Sequence, residues 1–332
     1  MSPATPIPIR VLGTGSYLPD RVVDNAELAR RFGCTEEWIL ERTGIRERRY
    51  AAPGQATSDL GVEAARRALE AARTDPSEIG LVICATYSPD FSFPATACLI
   101  QDRIGASGAG AFDMEAACSG FMTALVIASQ CVASGFVRKV LVVGADTNSR
   151  LIDPEDRNTA VLFGDGAGAL VLGPALNGAG LLAGLLGSDG SGWRSFIRPA
   201  GGARLAPSPE ALAQRQHYIH MNGQDLFRFG VRTLVSTAES VLAKAGMGPA
   251  DVDLFIPHQA NLRILQAGAQ RLGIPPERTF VNIDRCGNTA AASVGIALDE
   301  AVRAGRVRSG SIVLLVGFGA GLSWSGGVVR WE

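Results

Sequence analysis

Three residues of this 332-residue chain carry side chains suited to nucleophilic chemistry and stand where a fold could present them: Cys118, His258 and Asn288. Cys118 lies in FDMEAACSGFMTAL, directly before Ser119, Gly120 and a run that reads as a helix. A thiol at a helix N-terminus meets unpaired N–H groups and the positive end of the dipole, which favour the thiolate and so a nucleophile. The commoner fate of a buried cysteine is to act as a small hydrophobe. That role suits Cys34, Cys84, Cys98 and Cys131, while Cys286, in the turn before Asn288, is the one rival to Cys118.

Histidine narrows the search, because there are only three. His217 and His220 sit three apart in the polar stretch QRQHYIHMNG with no carboxylate or cysteine companion, and read as solvated side chains rather than metal ligands. His258 follows the apolar run DLFIP and so emerges at a strand end, where open α/β sheets place ligands. It is the natural acid/base or hydrogen-bond partner for Cys118. Asn288, in RCGNTAAAS, suits a turn or helix cap, and a cap can aim its amide into a site. The loop GFGAG at 317–321 is either a flexible turn or a close-approach loop whose N–H groups form an oxyanion hole. Two other glycine runs are decoys. GTGSYL at 13–18 lacks the third glycine of a dinucleotide fingerprint, and GDGAG at 164–168 has no following Lys-Ser/Thr, which leaves it a packing role near the site.

The elements that must position these residues are short apolar runs at 9–12, 80–84, 140–143, 169–172, 253–256 and 312–316, unalternating as expected for strands covered on both faces. Helical patterns lie between them, at 58–72 with Ser58 as N-cap, at 233–245 and at 290–304. Strands alternating with helices predict an α/β layered architecture. The two halves also repeat one plan. VEAARRALEAARTDPSEIGLVIC at 62–84 and STAESVLAKAGMGPADVDLFI at 236–256 each run helix, proline, strand, with Pro249 and Val252 matching Pro76 and Ile79. Small-residue helices follow at 119–134 and 289–304, then glycine-ended strands at 140–146 and 312–319. The expected organisation is two half-units, 1–175 and 176–332, with Cys118 and Asn288 at matching helix starts that a pseudo-twofold brings together.

Composition limits the alternatives. With 31 basic and 32 acidic side chains, no like-charge block and 6% aromatics, a nucleic-acid partner is not expected. The apolar runs are too short to span a bilayer, and the opening MSPATPIPIR has no basic region followed by an apolar stretch, so neither membrane nor secretion is expected. Six irregularly spaced cysteines without a CxxC pair argue against disulfides or zinc, and a reducing cytoplasm is the simplest home.

The order Cys, His, Asn also occurs in papain-like thiol proteases, but CGSCW-type surroundings are absent and the chain is a duplicated α/β unit. The sequence instead resembles the β-ketoacyl-acyl carrier protein synthase III family. The segments that carry the resemblance are EEWILERTGIRERR at 36–49, FDMEAACSGF at 112–121, DRNTAVLFGDGAGA at 156–169, PHQANLRI at 257–264, GNTAAAS at 287–293 and GFGAGLSW at 317–324. The resemblance implies a thiolase-like αβαβα fold and the initiating condensation of type II fatty-acid synthesis, with no cofactor. It implies that Cys118 takes an acyl group from acyl-CoA, and that His258 and Asn288 hydrogen-bond the thioester carbonyl of malonyl-acyl carrier protein as carbon dioxide leaves.

By the same resemblance, the N–H groups of Cys118 and Ala320 hold the second oxyanion, with alanine where relatives often have glycine. Trp38 and Arg157 would flank the adenine of coenzyme A, with Arg42 at its nucleotide end. Gln259, Ala260, Asn261, Leu262 and Arg263, with Arg228, would meet the carrier protein. Phe93 would reach the acyl pocket of a second copy in a homodimer. A related enzyme of secondary metabolism, transferring to another acceptor, and a non-catalytic thiolase-scaffold protein are the alternatives; an intact cysteine argues against the latter. The stretch 193–217 reads as a surface flap near the tunnel.

Overall fold

The computed structural model describes residues 6–175 and 179–332. The first five residues of the opening stretch, and the residues just after the expected boundary at 175/176, lie outside the described residues.

Two sheets form the frame. The first has the strand order Ile9–Tyr17, Gly166–Pro174, Val140–Asp146, Leu81–Ala85, Gly110–Met114. The second runs Gly180–Ser188, Ser323–Arg330, Ile312–Gly319, Leu254–Pro257, and a parallel bridge from Phe255 to Thr279 stands where a fifth strand would be. Each sheet pairs its central strands in parallel and adds antiparallel ones on the same side. The repeat read from the sequence therefore recurs in topology. It extends to the turns: Pro76 and Pro249 each open a 3-10 turn, and the following Ile79 and Val252 are both buried.

Five layers result. The helices Thr57–Ala71 and Thr96–Ile104 cover one face of the first sheet, burying Leu60, Val62 and Ile100 against Val82, Leu141 and Val143. Strand side chains alternate, so Ile83 and Val142 point the other way, into a central core shared with Phe121, Met122 and Leu125 of the helix Gly120–Ala133. Val313 and Leu315 of the second sheet close that core from its far side. The helices Gly223–Ala245 and Leu262–Leu272 form the last layer, packing Leu234, Val241 and Ile264 on Leu314 and Val316. The unalternating strands are apolar because both their faces are covered.

The sequence-based bounds shift in informative ways. Ser58 is not the N-cap of its helix. Ala56 is, and Asp59 accepts the Ala56 N–H at 2.7 Å, while Ser58 N–H and Oγ–H both go to Asp90. The helix expected at 233–245 begins ten residues earlier, capped by Asn222, because Phe229 and Val231 find a buried face that propensity does not reveal. The two central helices start at Gly120 and Ala292, so Cys118 lies two residues and Asn288 four residues ahead of its helix. The matching is approximate: Ala290, with φ at +51°, shares the left-handed conformation of Ala117, the residue before Cys118.

Small residues let the central layer close. A Cβ on Gly168 would fall 2.5 Å from the backbone of Gly295 and Ile296, and one on Gly144 2.5 Å from Ala291 O. Both clashes are with backbone, which cannot give way cheaply. Gly168→Ala is therefore expected to lower the unfolding free energy by about 1–3 kcal/mol. Chemical denaturation with an unchanged midpoint would show that the helix and sheet are not in this contact.

Candidate active site

Cys118 is buried in a 3-10 turn, Ala117–Ser119, that leads into the helix Gly120–Ala133. Ala117 adopts φ +44°, a left-handed conformation that a non-glycine residue takes at a cost and that clusters at functional sites. The turn is clamped from the other half of the chain. Ser119 Oγ lies 2.8 Å from Ala116 O and 2.9 Å from Ser323 Oγ, and Ser323 Oγ lies 2.8 Å from Ala320 O. Cβ atoms on Gly319 would sit 2.7 Å from Cys118 N. GFGAG is thus the close-approach alternative of the two readings, brought against the thiol by glycine. Ala320 lies outside the positive-φ set, so alanine is accommodated there without left-handed strain.

The thiol does not rest as the stabilised thiolate that its helix start suggested. Burial pushes the Cys118 thiol far above the usual cysteine range, the carboxylate of Asp146 adds to this, and a backbone N–H offsets only part of it. Desolvation outweighs the helix terminus here because the group is almost wholly enclosed. Cys286, the rival, is also buried and its thiol is pushed up to about 12.

His258 arrives at the end of the strand Leu254–Pro257, its N–H donating to Val316 O at 2.8 Å. The ring meets Phe318 edge-on, with centroids 5.3 Å apart, and its Nδ1 lies 2.6 Å from Ser293 Oγ. Burial drops its pKa to about 3, so the imidazole is neutral at physiological pH. Asn288 is held by two backbone bonds, its N–H donating to Leu162 O at 2.9 Å and its carbonyl accepting from Gly164 N–H at 3.0 Å. Its Oδ1 accepts the Ala290 N–H at 2.9 Å. That bond fixes which end of the amide is which, leaving the Nδ2 donor toward the site.

Cys118, His258 and Asn288 line one tunnel of about 120 Å³, together with Phe163, Phe196, Phe318 and Ala320. Phe196 and Ala320, with Ala117 and Ser119, line a second, larger cavity of about 910 Å³, walled by Tyr87, Leu186, Trp193 and Trp324. Cys118 opens on the first space and its two chain neighbours on the second. The stretch expected as a flap supplies Trp193, Phe196 and Ile197 to them, folding back as a two-stranded ribbon of Phe196–Ile197 with His220–Met221.

The outer residues divide. Trp38 carries the guanidinium of Arg157 at 4.6 Å from its ring centroid and that of Arg42 at 4.7 Å, so all three gather as expected. Arg42, Arg228 and Arg263 surround a surface hollow with Phe227, and Ala260 and Asn261 line the tunnel itself. Leu262 packs on Gly44. Gln259 is a correction: it is buried, its Nε2 donates to Pro257 O and Phe280 O, and its Oε1 accepts the Asn282 N–H. A side chain so fully bonded inside the fold cannot meet a partner. Phe93 is 86% exposed and lines neither of these two cavities. His220 is exposed, and among the described residues no group of three side chains could hold a metal, nor is any helix long and apolar enough to cross a membrane.

The sequence reading missed Asp146. This buried carboxylate accepts from Thr86 Oγ1, Tyr87 N–H, Ser88 and, across the pseudo-twofold, Ala291 N–H at 3.0 Å. Burial raises its pKa to about 6. The available signal was an acidic residue ending an otherwise apolar strand, VLVVGAD.

An acyltransferase of the condensing type is the class that this fold and site define. Residues 112–190 match the family model for 3-oxoacyl-acyl-carrier-protein (ACP) synthase III, and residues 242–331 that for its C-terminal region. β-Ketoacyl-acyl-carrier-protein synthase III of Caldanaerobacter subterraneus is 49% identical, the match covering 97% of both chains. Among solved structures, 3-oxoacyl-acyl-carrier-protein synthase III of Aquifex aeolicus superimposes with a TM-score of 0.90 at 42% identity, covering 97% of this chain and 100% of that one. The priming β-ketosynthase of the R1128 polyketide pathway also gives a TM-score of 0.90, at 40% identity, covering 100% and 99%. The chain belongs to the β-ketoacyl-acyl carrier protein synthase III family, and its fold is thiolase-like.

Two outcomes follow from this geometry. Gly319→Ala should fold yet lose at least about tenfold in thiol acylation, since the added Cβ displaces the donor loop; an unaltered rate would place that loop outside the chemistry. His258 stays neutral down to about pH 3, whereas an unfolded histidine takes up a proton near 6.5. Acidification through that window therefore favours the unfolded chain by up to about 1.4 kcal/mol per pH unit. Unfolding free energies measured for wild type and His258→Gln across pH 4–7 should converge as pH falls; parallel curves would contradict a neutral buried imidazole.

Proposed function

We propose that this enzyme loads an acyl group from acyl-CoA onto Cys118 and condenses it with malonyl-acyl carrier protein, giving 3-oxoacyl-acyl carrier protein, coenzyme A and carbon dioxide and so initiating type II fatty-acid synthesis. The observation that carries the reading is the pair of neutral donors, His258 and Asn288, lining the same tunnel as the thiol. An asparagine amide cannot act as a base, and two aimed donors suit an oxygen on which negative charge develops.

In the first half-reaction Cys118 Sγ attacks the thioester carbonyl and the coenzyme A sulfur leaves, taking up the thiol proton. Exchange of one thioester for another needs little driving force, and a protonated resting thiol is spared adventitious oxidation. The acyl chain then occupies the larger cavity, and Trp38, Arg157 and Arg42 hold the nucleotide at the tunnel entrance; a base entering between Trp38 and Arg157 displaces a guanidinium that now rests on the indole. In the second half-reaction the malonyl carboxylate departs as carbon dioxide, and its electron pair passes to C2 and the thioester oxygen. That enolate oxygen accepts hydrogen bonds from His258 and Asn288. C2 attacks the acyl carbonyl, whose oxygen is held by the N–H groups of Cys118 and Ala320. Collapse expels the Cys118 thiolate, which takes a proton from solvent and is readily reprotonated in its buried site. No metal or cofactor enters these steps.

The carrier-protein contact falls to Ala260, Asn261, Leu262, Arg263 and Arg228, with exposed Arg263 and Arg228 offering positive charge to an acidic partner. A homodimer is supported by the edge strand Gly110–Met114, which exposes Phe112, and by the exposed Phe91 and Phe93. Pairing of that edge with a second copy would cover the aromatic residues and bring the partner's loop to the acyl cavity. We also infer half-units 1–175 and 176–332 and a cytoplasmic setting.

Intact-mass measurement after mixing with a panel of acyl-CoAs is expected to give an acyl adduct on Cys118 that disappears when malonyl-acyl carrier protein is added; no adduct with any primer would sink the reading. Asn288→Ala should acylate normally and condense about 10²-fold more slowly. Loss of acylation ahead of condensation would remove the enolate role.

A further inference from the structure

Behind His258 lies a residue that the chemistry above does not use. Ser293, in the first turn of the buried helix Ala292–Arg303, is 2% exposed. Its Oγ stands 2.6 Å from His258 Nδ1 and 3.4 Å from the backbone nitrogen of Gln259. A backbone N–H can only donate, so the Gln259 contact uses a lone pair of the serine oxygen and leaves the serine proton still to be placed. Among the described residues these two atoms are the only hydrogen-bond partners of the Ser293 hydroxyl, and Nδ1 is the only one able to accept. Were the ring protonated on Nδ1, it would donate to Ser293 Oγ, and the serine O–H would be buried with no acceptor, an outcome folded proteins avoid.

We propose that Ser293 is a positioning residue that donates to His258 Nδ1 and thereby fixes the neutral imidazole as its Nε2–H tautomer, presenting a donor and not an acceptor to the tunnel. The partner of a ring nitrogen sets the state of the other nitrogen. The arrangement mirrors that of Asn288, whose Oδ1 is occupied by the Ala290 N–H so that its amide also offers hydrogen. One segment, 288–293, thus fixes the polarity of both donors. In this tautomer His258 cannot take the Cys118 proton through Nε2, so Ser293 matters for decarboxylation and not for loading. That catalytic consequence rests on the condensing reading; the tautomer itself does not.

The test uses the full chain labelled with ¹⁵N-histidine. With three histidines in the sequence, His217→Gln and His220→Gln assign the His258 signals. Long-range ¹H–¹⁵N correlation at neutral pH is expected to show Nε2 protonated and Nδ1 bare in wild type and in Ser293→Thr, which keeps the hydroxyl. Ser293→Ala should shift the ring toward the Nδ1–H form. Decarboxylation of malonyl-acyl carrier protein by Ser293→Ala should fall by about tenfold or more, while acylation of Cys118 stays within about twofold of wild type. A wild-type Nδ1–H ring, or a tautomer unchanged in Ser293→Ala, overturns the proposal. Equal losses of acylation and decarboxylation with a lowered unfolding midpoint overturn it too, since they mark a merely structural serine. A tautomer that shifts as expected in an enzyme that never decarboxylates the malonyl thioester upholds Ser293 and removes the condensing reading instead.

Discussion

Two helices packed between two sheets, close enough that backbone meets backbone, form the contact from which the rest of the molecule follows. Gly168 lies on Gly295 and Ile296, Gly144 lies on Ala291, and Gly317 lies on Ser119. At Gly168 and Gly144 a methyl group has no room, and at Gly317 it would require Ser119 to shift. The close approach brings the start of the helix Gly120–Ala133 beside the segment 288–293, which lies far along the chain in the other part of the sequence. Asp146 ties the same join with hydrogen bonds, accepting from three consecutive residues of one half and from Ala291 of the other. A carboxylate so fully bonded is costly to leave unpaired, and this makes the join specific as well as tight.

The electrostatics of the site are a consequence of that closure. Excluding water raises the Cys118 thiol and lowers the His258 imidazole, so both groups rest uncharged. An uncharged donor pair is then worth more to a developing anion than it would be in water, because little else can solvate the charge. The glycine loop 317–321 completes the arrangement, approaching the cysteine turn from the opposite half and held there by Ser119 and Ser323. Cys118 thus comes from the first part of the chain, and His258, Asn288 and the 317–321 loop from the second.

The strand Gly110–Met114 is an open edge of the first sheet, and Phe91 and Phe93 are exposed. A surface hollow is different in kind: Arg42, Arg228 and Arg263 gather there although the chain as a whole is nearly neutral. Local clustering, and not net charge, sets the field at that hollow.

Sequence alone determined the strand runs, the alternation with helices and the family-typical segments, because each is a local pattern, and it singled out Cys118, His258 and Asn288, which the fold brings to one tunnel. It placed the N-cap at Ser58, where the fold uses Ala56 and Asp59, because several polar residues near a helix start compete and tertiary partners choose among them. It put Gln259 on a partner surface, although burial of that side chain depends on Phe280 and Asn282 arriving from elsewhere. Only the tertiary structure decided the charge state of Cys118. A helix start predicts a thiolate, but desolvation by distant residues is the larger effect, and no local pattern encodes how much water a folded chain will exclude.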